Sequence, residues 1–177
     1  MSTTSSDSQT TSAAEVARAY LEAVGRQERD AQMRFYAPGA TGRIHGVLDS
    51  AGLEEVKAFF AQVYAAFPDF SLEVLDVVGD HEKAVGRWRV RGTFNGSGSF
   101  LGMRPTGRAV DLDGMDMLWV RDGRIERIEV YMDGMTMARQ LGAMPPKDSP
   151  PERLMTAALN GVTRVRETIA KRRSGAG

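Results

Sequence analysis

Cysteine is absent from the chain, which rules out disulfides, thiolate nucleophiles and thiolate metal sites. Histidine is scarce: His45 and His81 are the two copies, too few to suggest a zinc centre. Neither sign of charge is in surplus. With 23 basic and 23 acidic side chains, no overall field draws the protein toward nucleic acid or an anionic membrane, and binding to either would need a local patch. Apolar runs of membrane-spanning length are missing as well. The opening MSTTSSDSQTTS has neither the basic start nor the apolar core of a signal peptide. It reads as a disordered tail over residues 1–12, and the expected location is cytoplasmic. The glycine-rich segment from Asn95 to Arg108 lacks the Gly-x-x-x-x-Gly-Lys-Ser/Thr spacing of a phosphate loop and precedes a strand, so it is expected to be a long, partly mobile rim loop.

What the chain does contain is a pair of long alternating segments around Asp122-Gly123. Val110 to Asp133, VDLDGMDMLWVRDGRIERIEVYMD, reads as two strands joined by a hairpin turn, because glycine reaches the positive φ that the reversal needs. The even positions Val110, Leu112, Gly114, Asp116, Leu118 and Val120 form an apolar face interrupted by one carboxylate. Such a carboxylate is either hydrogen-bonded and structural or held at a raised pKa for chemistry. Its neighbours depend on the turn. A two-residue type I′ turn would set Asp116 opposite Glu129. A type I turn closed by a bulge at Gly123 would place it near Ile128, with Val130 and Met132 on the same face. The bulged register gives Asp116 a continuous apolar surround and is the one expected, with Glu129 and Tyr131 on the opposite face.

Upstream, Ser12-Ala-Ala-Glu15 is a capping box that opens an amphipathic helix with Val16, Tyr20, Leu21 and Val24 turned inward. A second helix is expected over Glu28 to Tyr36, a short strand over Ala40 to His45, and a loop over Gly46 to Asp49. Ser50 is expected to begin a third helix, with Glu54 and Glu55 in its first turn and Leu53, Val56, Phe60, Val63, Tyr64 and Phe67 buried. Phe70 to Val78 and Lys83 to Phe94 read as strands. In the second of these, Arg87, Arg89 and Arg91 make one face basic and Trp88 and Val90 make the other apolar. Asp133 can cap a short helix ending at Leu141, and Pro150-Pro151 starts a last helix whose stripe is Leu154, Ala158, Val162, Val165 and Ile169. This order describes an α+β domain over residues 13–146, a curved, mainly antiparallel sheet with helices on one face, followed by a helical extension over 147–177 that covers part of the sheet or meets a partner subunit.

Several local sequences make the resemblance specific: Phe67-Pro68-Asp69, Gly92-Thr93, Leu101-Gly102 with Pro105-Thr106-Gly107, Gly114-Met115-Asp116, Asp122-Gly123-Arg124-Ile125, and Tyr131-Met132-Asp133 leading to Arg139-Gln140-Leu141-Gly142. From about Val16 to Pro146 the chain resembles the SnoaL-like polyketide cyclases of the nuclear-transport-factor-2-like superfamily, which also holds the ketosteroid isomerases. The resemblance implies a cone-shaped hydrophobic pocket and no cofactor or metal. It also implies enolate chemistry on a hydrophobic carbonyl compound. It places Asp116 where the isomerases keep a protonated aspartate and Tyr20 where they keep its companion tyrosine. The family positions for a base fall on Ile44 and Val130, which cannot take a proton, and the usual histidine after Gly92-Thr93 is Phe94. His45, beside Ile44, is the substitute base if the strand end is shifted.

The candidate catalytic set is therefore Asp116, Tyr20 and His45. The residues expected to contact substrate are Phe60, Tyr64, Trp88 and Phe94 from the helices and central strands, and Leu118, Ile128, Val130 and Met132 from the hairpin. The partners expected are a hydrophobic small molecule and a second copy of the chain, which would meet the face carrying Met115, Met117, Trp119 and Tyr131. Nucleic acid and membrane are not expected partners. Two other readings stay open: a non-catalytic binding module that lost its base, and a hydroxylase or epoxide-hydrolase branch in which a pocket aspartate activates water.

Overall fold

The computed structural model describes residues 11–174, with the backbone alone at 165, 168–170 and 172–174. The expected tail at 1–12 lies almost wholly outside these residues, as do the side chains of Val165 and Ile169. Helix α1, Ala13–Gly25, begins at the anticipated capping box: Ser12 Oγ accepts from the Glu15 amide, and Glu15 accepts from the Ser12 amide. Its apolar stripe, Tyr20 included, is buried.

The next segment differs from the sequence expectation. Helix α2 spans Arg29–Arg34, and Tyr36 opens strand β1, Tyr36–Ile44, instead of closing the helix. The strand reaches back this far because it pairs in parallel with strand β6, Arg124–Met132, from Tyr36 opposite Ile125 to Ile44 opposite Val130. An irregularity between Tyr36 and Thr41 absorbs Pro38-Gly39. Residues after Gly46 form strand β2, Leu48–Gly52, where a loop and a helix start were expected. Helix α3 begins at Leu53 and runs to Ala66, since Glu55 accepts from the Gly52 amide while Ser50 sits at φ 35° and cannot open a helix.

Strands β3, Ser71–Gly79, β4, Lys83–Thr93, and β5, Ala109–Arg121, complete a six-stranded sheet in the order β2-β1-β6-β5-β4-β3. Only β1 and β6 are parallel; every other neighbouring pair is antiparallel. The sheet is open and curved, with α1 packed on β3, β4 and β5 and α3 on β1 and β2. The fold is the α+β cone that the resemblance implied.

The hairpin decides the site's geometry. Asp122 and Gly123 have φ of 50° and 71°, the two positive values of a type I′ turn, and Arg121 pairs with Arg124. The ladder then slips by one residue, because Val120 pairs with Ile125 but Trp119 with Arg127, which leaves Glu126 as the extra residue. The shift therefore lies two residues beyond the turn and not at Gly123. Its consequence for the faces is the expected one: Asp116 stands opposite Val130 with Ile128 and Met132 on its side, while Met117 pairs with Glu129 on the other.

Helix α4, Gly134–Leu141, is capped by Asp133, whose carboxylate accepts from Thr136, and closed by Gly142 at φ 85°. Helix α5, Pro150–Ser174, is tied to α4 by an Arg139–Glu152 ion pair at 2.6 Å. Among the described residues it does not cover the sheet, and Leu154, Leu159 and Val162 are exposed. No helix among them is long and apolar enough to cross a membrane.

Candidate functional site

Between the concave sheet face and α3 lies an apolar cavity with about 770 Å³ of empty space, its open mouth included. Phe59, Phe60 and Val63 of α3, with Phe67 at its C-terminal cap, form one wall, Trp88, Val90, Val110 and Leu112 the other. Met137 of α4 and Phe100 close the rim. Phe100 belongs to the glycine-rich segment expected to be a mobile rim loop. It is 5% exposed, packs edge-on against Phe67 and Phe94, and bridges to Met103, so that part of the segment is a fixed piece of wall.

One titratable group lines this cavity among the described residues: Asp116. The register explains the isolation. Ile44, Val130 and Asp116 form a row across three adjacent strands, Ile44 pairing with Val130 and Val130 with Asp116. Both positions at which the resemblance led one to expect a base thus stand in the carboxyl's own row, on its β6 side, and both are aliphatic. Asp116 is 5% exposed, and its Oδ1 accepts from the Trp88 indole Nε1 at 2.8 Å. Burial pushes its carboxyl up to about 7, against the opposing pull of the indole hydrogen bond. At neutral pH the group is divided between acid and carboxylate.

Behind this row runs a buried chain of polar groups. The hydroxyls of Tyr20 and Tyr36 lie 2.8 Å apart. Gln32 Nε2 donates to Tyr20 at 3.5 Å, and the Tyr64 hydroxyl reaches Gln32 Oε1 at 3.3 Å and the Val24 carbonyl at 3.2 Å. Burial pushes all three phenols well above their ordinary value, so they stay protonated. Tyr20 answers to Tyr36 and Gln32 rather than to a backbone group, and it makes no hydrogen bond to Asp116. Neither Tyr20 nor Tyr36 lines the cavity. Sequence reading missed Tyr36 because it was assigned to a helix, and missed Gln32 because a polar residue in a polar helix carries no burial signal.

His45 is separated from Asp116 by the sheet. Its amide donates to the Val130 carbonyl, which ends β1 without a shift and turns the imidazole to the outer face. There the ring stacks on Tyr131 at 4.1 Å, and Nε2 lies 3.3 Å from Glu129 Oε2. Glu129 also accepts from the Tyr131 hydroxyl at 2.7 Å and from Arg127, which itself covers Trp119. The Tyr131 bond first, then Arg127 and His45, hold the Glu129 carboxyl down to about 2. Arg87, Arg89 and Arg91 share this outer face and are paired with Asp113, Asp111 and Glu73.

Of the residues expected to contact substrate, Phe60, Trp88, Val130 and Met132 line the cavity. Four do not. Tyr64 turns to Gln32, and Phe94, fully buried, stacks on Phe67 behind the wall. Leu118 and Ile128 lie on the correct face but belong to the core cluster that α1 seals. Ile44, Phe59, Phe67, Phe70, Phe100 and Met137 line it without having been expected there. Their apolar periodicity marks burial but not which side of a helix faces a void. Among the described residues no group of three or more carboxylates or imidazoles is arranged to hold a metal ion.

Comparisons with known proteins agree with this fold. No protein of curated function matches the sequence. Among solved structures, AclR from Streptomyces galilaeus, a candidate hydroxylase, is similar at 20% identity, with a TM-score of 0.65 over 86% of this chain and 94% of that one. IdmH from Streptomyces antibioticus, a candidate polyketide cyclase, is 28% identical, with a TM-score of 0.61 over 72% and 96%. A SnoaL-like cyclase candidate from Jannaschia sp. CCS1 is 24% identical, with a TM-score of 0.65 over 74% and 92%. The model of one family matches residues 14–141, from the first helix through α4, and on that match the chain belongs to the SnoaL-like polyketide cyclases.

Proposed function

We propose that the protein is a cofactor-independent enzyme that removes a proton beside a carbonyl of a hydrophobic metabolite, a cyclase or isomerase in the broad sense, with Asp116 as the base. One observation carries this reading: Asp116 is the single titratable group lining an otherwise apolar cavity among the described residues, and at neutral pH a share of it is ionised. Ile44 and Val130 accept no proton, and His45 lies beyond the sheet. A proton taken by the protein inside this cavity therefore goes to Asp116.

The same isolation bears on the substrate. The Trp88 N–H is committed to Asp116, and neither Tyr20 nor Tyr36 lines the cavity, so among the described residues the pocket holds no separate side-chain donor for an enolate oxygen. That favours substrates whose α-proton is activated by a second carbonyl, such as aromatic β-keto compounds. Deuterium wash-in from heavy water at the α-carbon tests the proposal. An aromatic β-keto ester exchanges faster than a cyclic monoketone with wild type, and exchange above the solvent rate disappears in Asp116→Asn.

A non-catalytic binding module is the second reading, favoured by aliphatic side chains at both family base positions. It requires tight binding of the same compounds with no exchange in either protein. In both readings the chain pairs with a second copy. The half-exposed Met115 and Tyr131 on the outer sheet face and the exposed stripe of α5 support that assembly.

A further inference from the structure

Asp116 does not stand in its cavity as a freely turning carboxyl. Trp88 pairs with Gly114 across the β4–β5 ladder, and Gly86 pairs with Asp116 one pleat away on the same face. A Cβ at position 114 would lie 2.2–2.7 Å from three carbons of the indole six-membered ring. The missing side chain is therefore the space in which the ring lies. With the indole laid over Gly114, its N–H, a donor with no acceptor capacity, reaches Asp116 Oδ1 at 2.8 Å. The other oxygen, Oδ2, has no hydrogen-bond partner among the described residues. It is not a sealed atom either, since the one unpaired and fully enclosed side-chain polar atom among them is Arg139 Nε. An unpaired, accessible oxygen on a residue that lines the cavity is the one offered to a ligand.

We infer that Gly114 and Trp88 form a positioning unit that confines the proton chemistry of Asp116 to Oδ2, so that the cavity presents one oxygen that takes, carries and returns the proton. Oδ1 cannot hold a proton in line with the indole N–H, because two hydrogens would then meet between one donor and one oxygen. In the neutral acid Oδ2–H donates to an acceptor on the ligand. In the carboxylate Oδ2 receives a proton, and the indole keeps Oδ1 in place through both states. Trp88 touches the carboxyl and not the reacting carbon, so its role is positioning. The inference rests on Asp116 as the proton-handling group of the proposed function, but it is testable in the free protein.

The groups facing Asp116 do not obscure such a test. Tyr20 on α1 and Tyr36 on β1 feel its charge and stay protonated, and burial keeps Tyr64 on α3 protonated too. No histidine, lysine, arginine or second carboxyl lines the cavity among the described residues. His45, Arg127 and Glu129 lie across the sheet.

The experiment is a pH titration followed by NMR on protein carrying labelled aspartate carboxyls and labelled indole nitrogen. In Trp119→Phe, which alters only the outer face, the Trp88 N–H is the sole indole signal. It is expected to shift with the same midpoint as the Asp116 carboxyl. Trp88→Phe and Gly114→Ala each raise that midpoint by about one unit, because the charge-assisted hydrogen bond is lost. Combining them adds nothing further, since Gly114 acts through the indole. An indole signal indifferent to the Asp116 titration overturns the inference even if both variants fail to fold. So does a Gly114→Ala shift that persists fully in the Trp88→Phe background. No substrate is turned over in these measurements. A protein that exchanges no deuterium can still pass them, and one that fails them can still be an enzyme.

Discussion

Replacing Asp116 by Asn should make the protein more stable above neutral pH, although the substitution removes the proposed base. The carboxyl moves from an ordinary 3.8 to about 7 on burial, so between those values the folded protein binds one more proton than the unfolded chain. Wild-type stability therefore falls as pH rises through the interval. Below it both states are protonated and the cost is absent; above it both are ionised and the cost is constant. A shift of roughly 3 units corresponds to a cost on the order of 4 kcal/mol, large beside a domain stability of about 5–15 kcal/mol. Asparagine keeps an oxygen for the Trp88 N–H and never ionises. Urea unfolding of both proteins from pH 4 to pH 9 gives the difference directly. Glu129, held down to about 2 on the other face, is common to both and cancels in the subtraction. The stability of Asp116→Asn minus that of wild type should be near zero at pH 4, rise by up to about 1.4 kcal/mol per pH unit, and level off near pH 7. A difference that stays flat across this range would refute the assignment of Asp116 as a buried, desolvated acid.

Other outcomes follow from the same geometry. His45→Ala should leave deuterium exchange within about twofold of wild type, because the imidazole lies across the sheet; it should also raise the Glu129 pKa, read by carboxyl NMR. Val130→Asp sets a second carboxyl opposite Asp116 in the ladder; the pair should share one proton at neutral pH, and stability at pH 8 should fall by about 3 kcal/mol in urea unfolding. Tyr36→Phe takes from Tyr20 its nearest partner and should cost about 1–2 kcal/mol without moving the Asp116 midpoint by more than a few tenths. Ending the chain at residue 148 should leave the urea midpoint of the core almost unchanged, since α5 does not cover the sheet among the described residues, and light scattering should show a loss of the proposed dimer.

Much of the architecture was readable in local patterns. The capping box at Ser12, the alternation along β5 and the Asp122-Gly123 reversal each depend on residues within a few positions of one another, and each occurs where the pattern put it. The opposition of Asp116 to an apolar face followed from the two-residue period of a strand. The same period could have excluded His45: with Ile44 turned inward, the next residue turns outward. Reading it as a base required a strand-end shift that the His45 amide bond to Val130 does not allow. Tyr36 was misplaced because helix propensity carried the second helix two residues too far, whereas the parallel ladder with β6 claimed it for a strand.

By itself, then, the sequence determined an α+β chain of the SnoaL-like family, one uncomfortable carboxylate on an inward face, and the absence of a proton-accepting side chain at positions 44 and 130. Only the tertiary structure decided that these three positions form one row, that a bulge at Glu126 rather than the turn sets the row, and that Trp88 reaches Asp116 across the space left by Gly114. The division has a physical cause. Periodicity and capping are settled between near neighbours in the chain, but register is settled by hydrogen-bond ladders between strands far apart in sequence, and a shift of one residue there changes every face it touches.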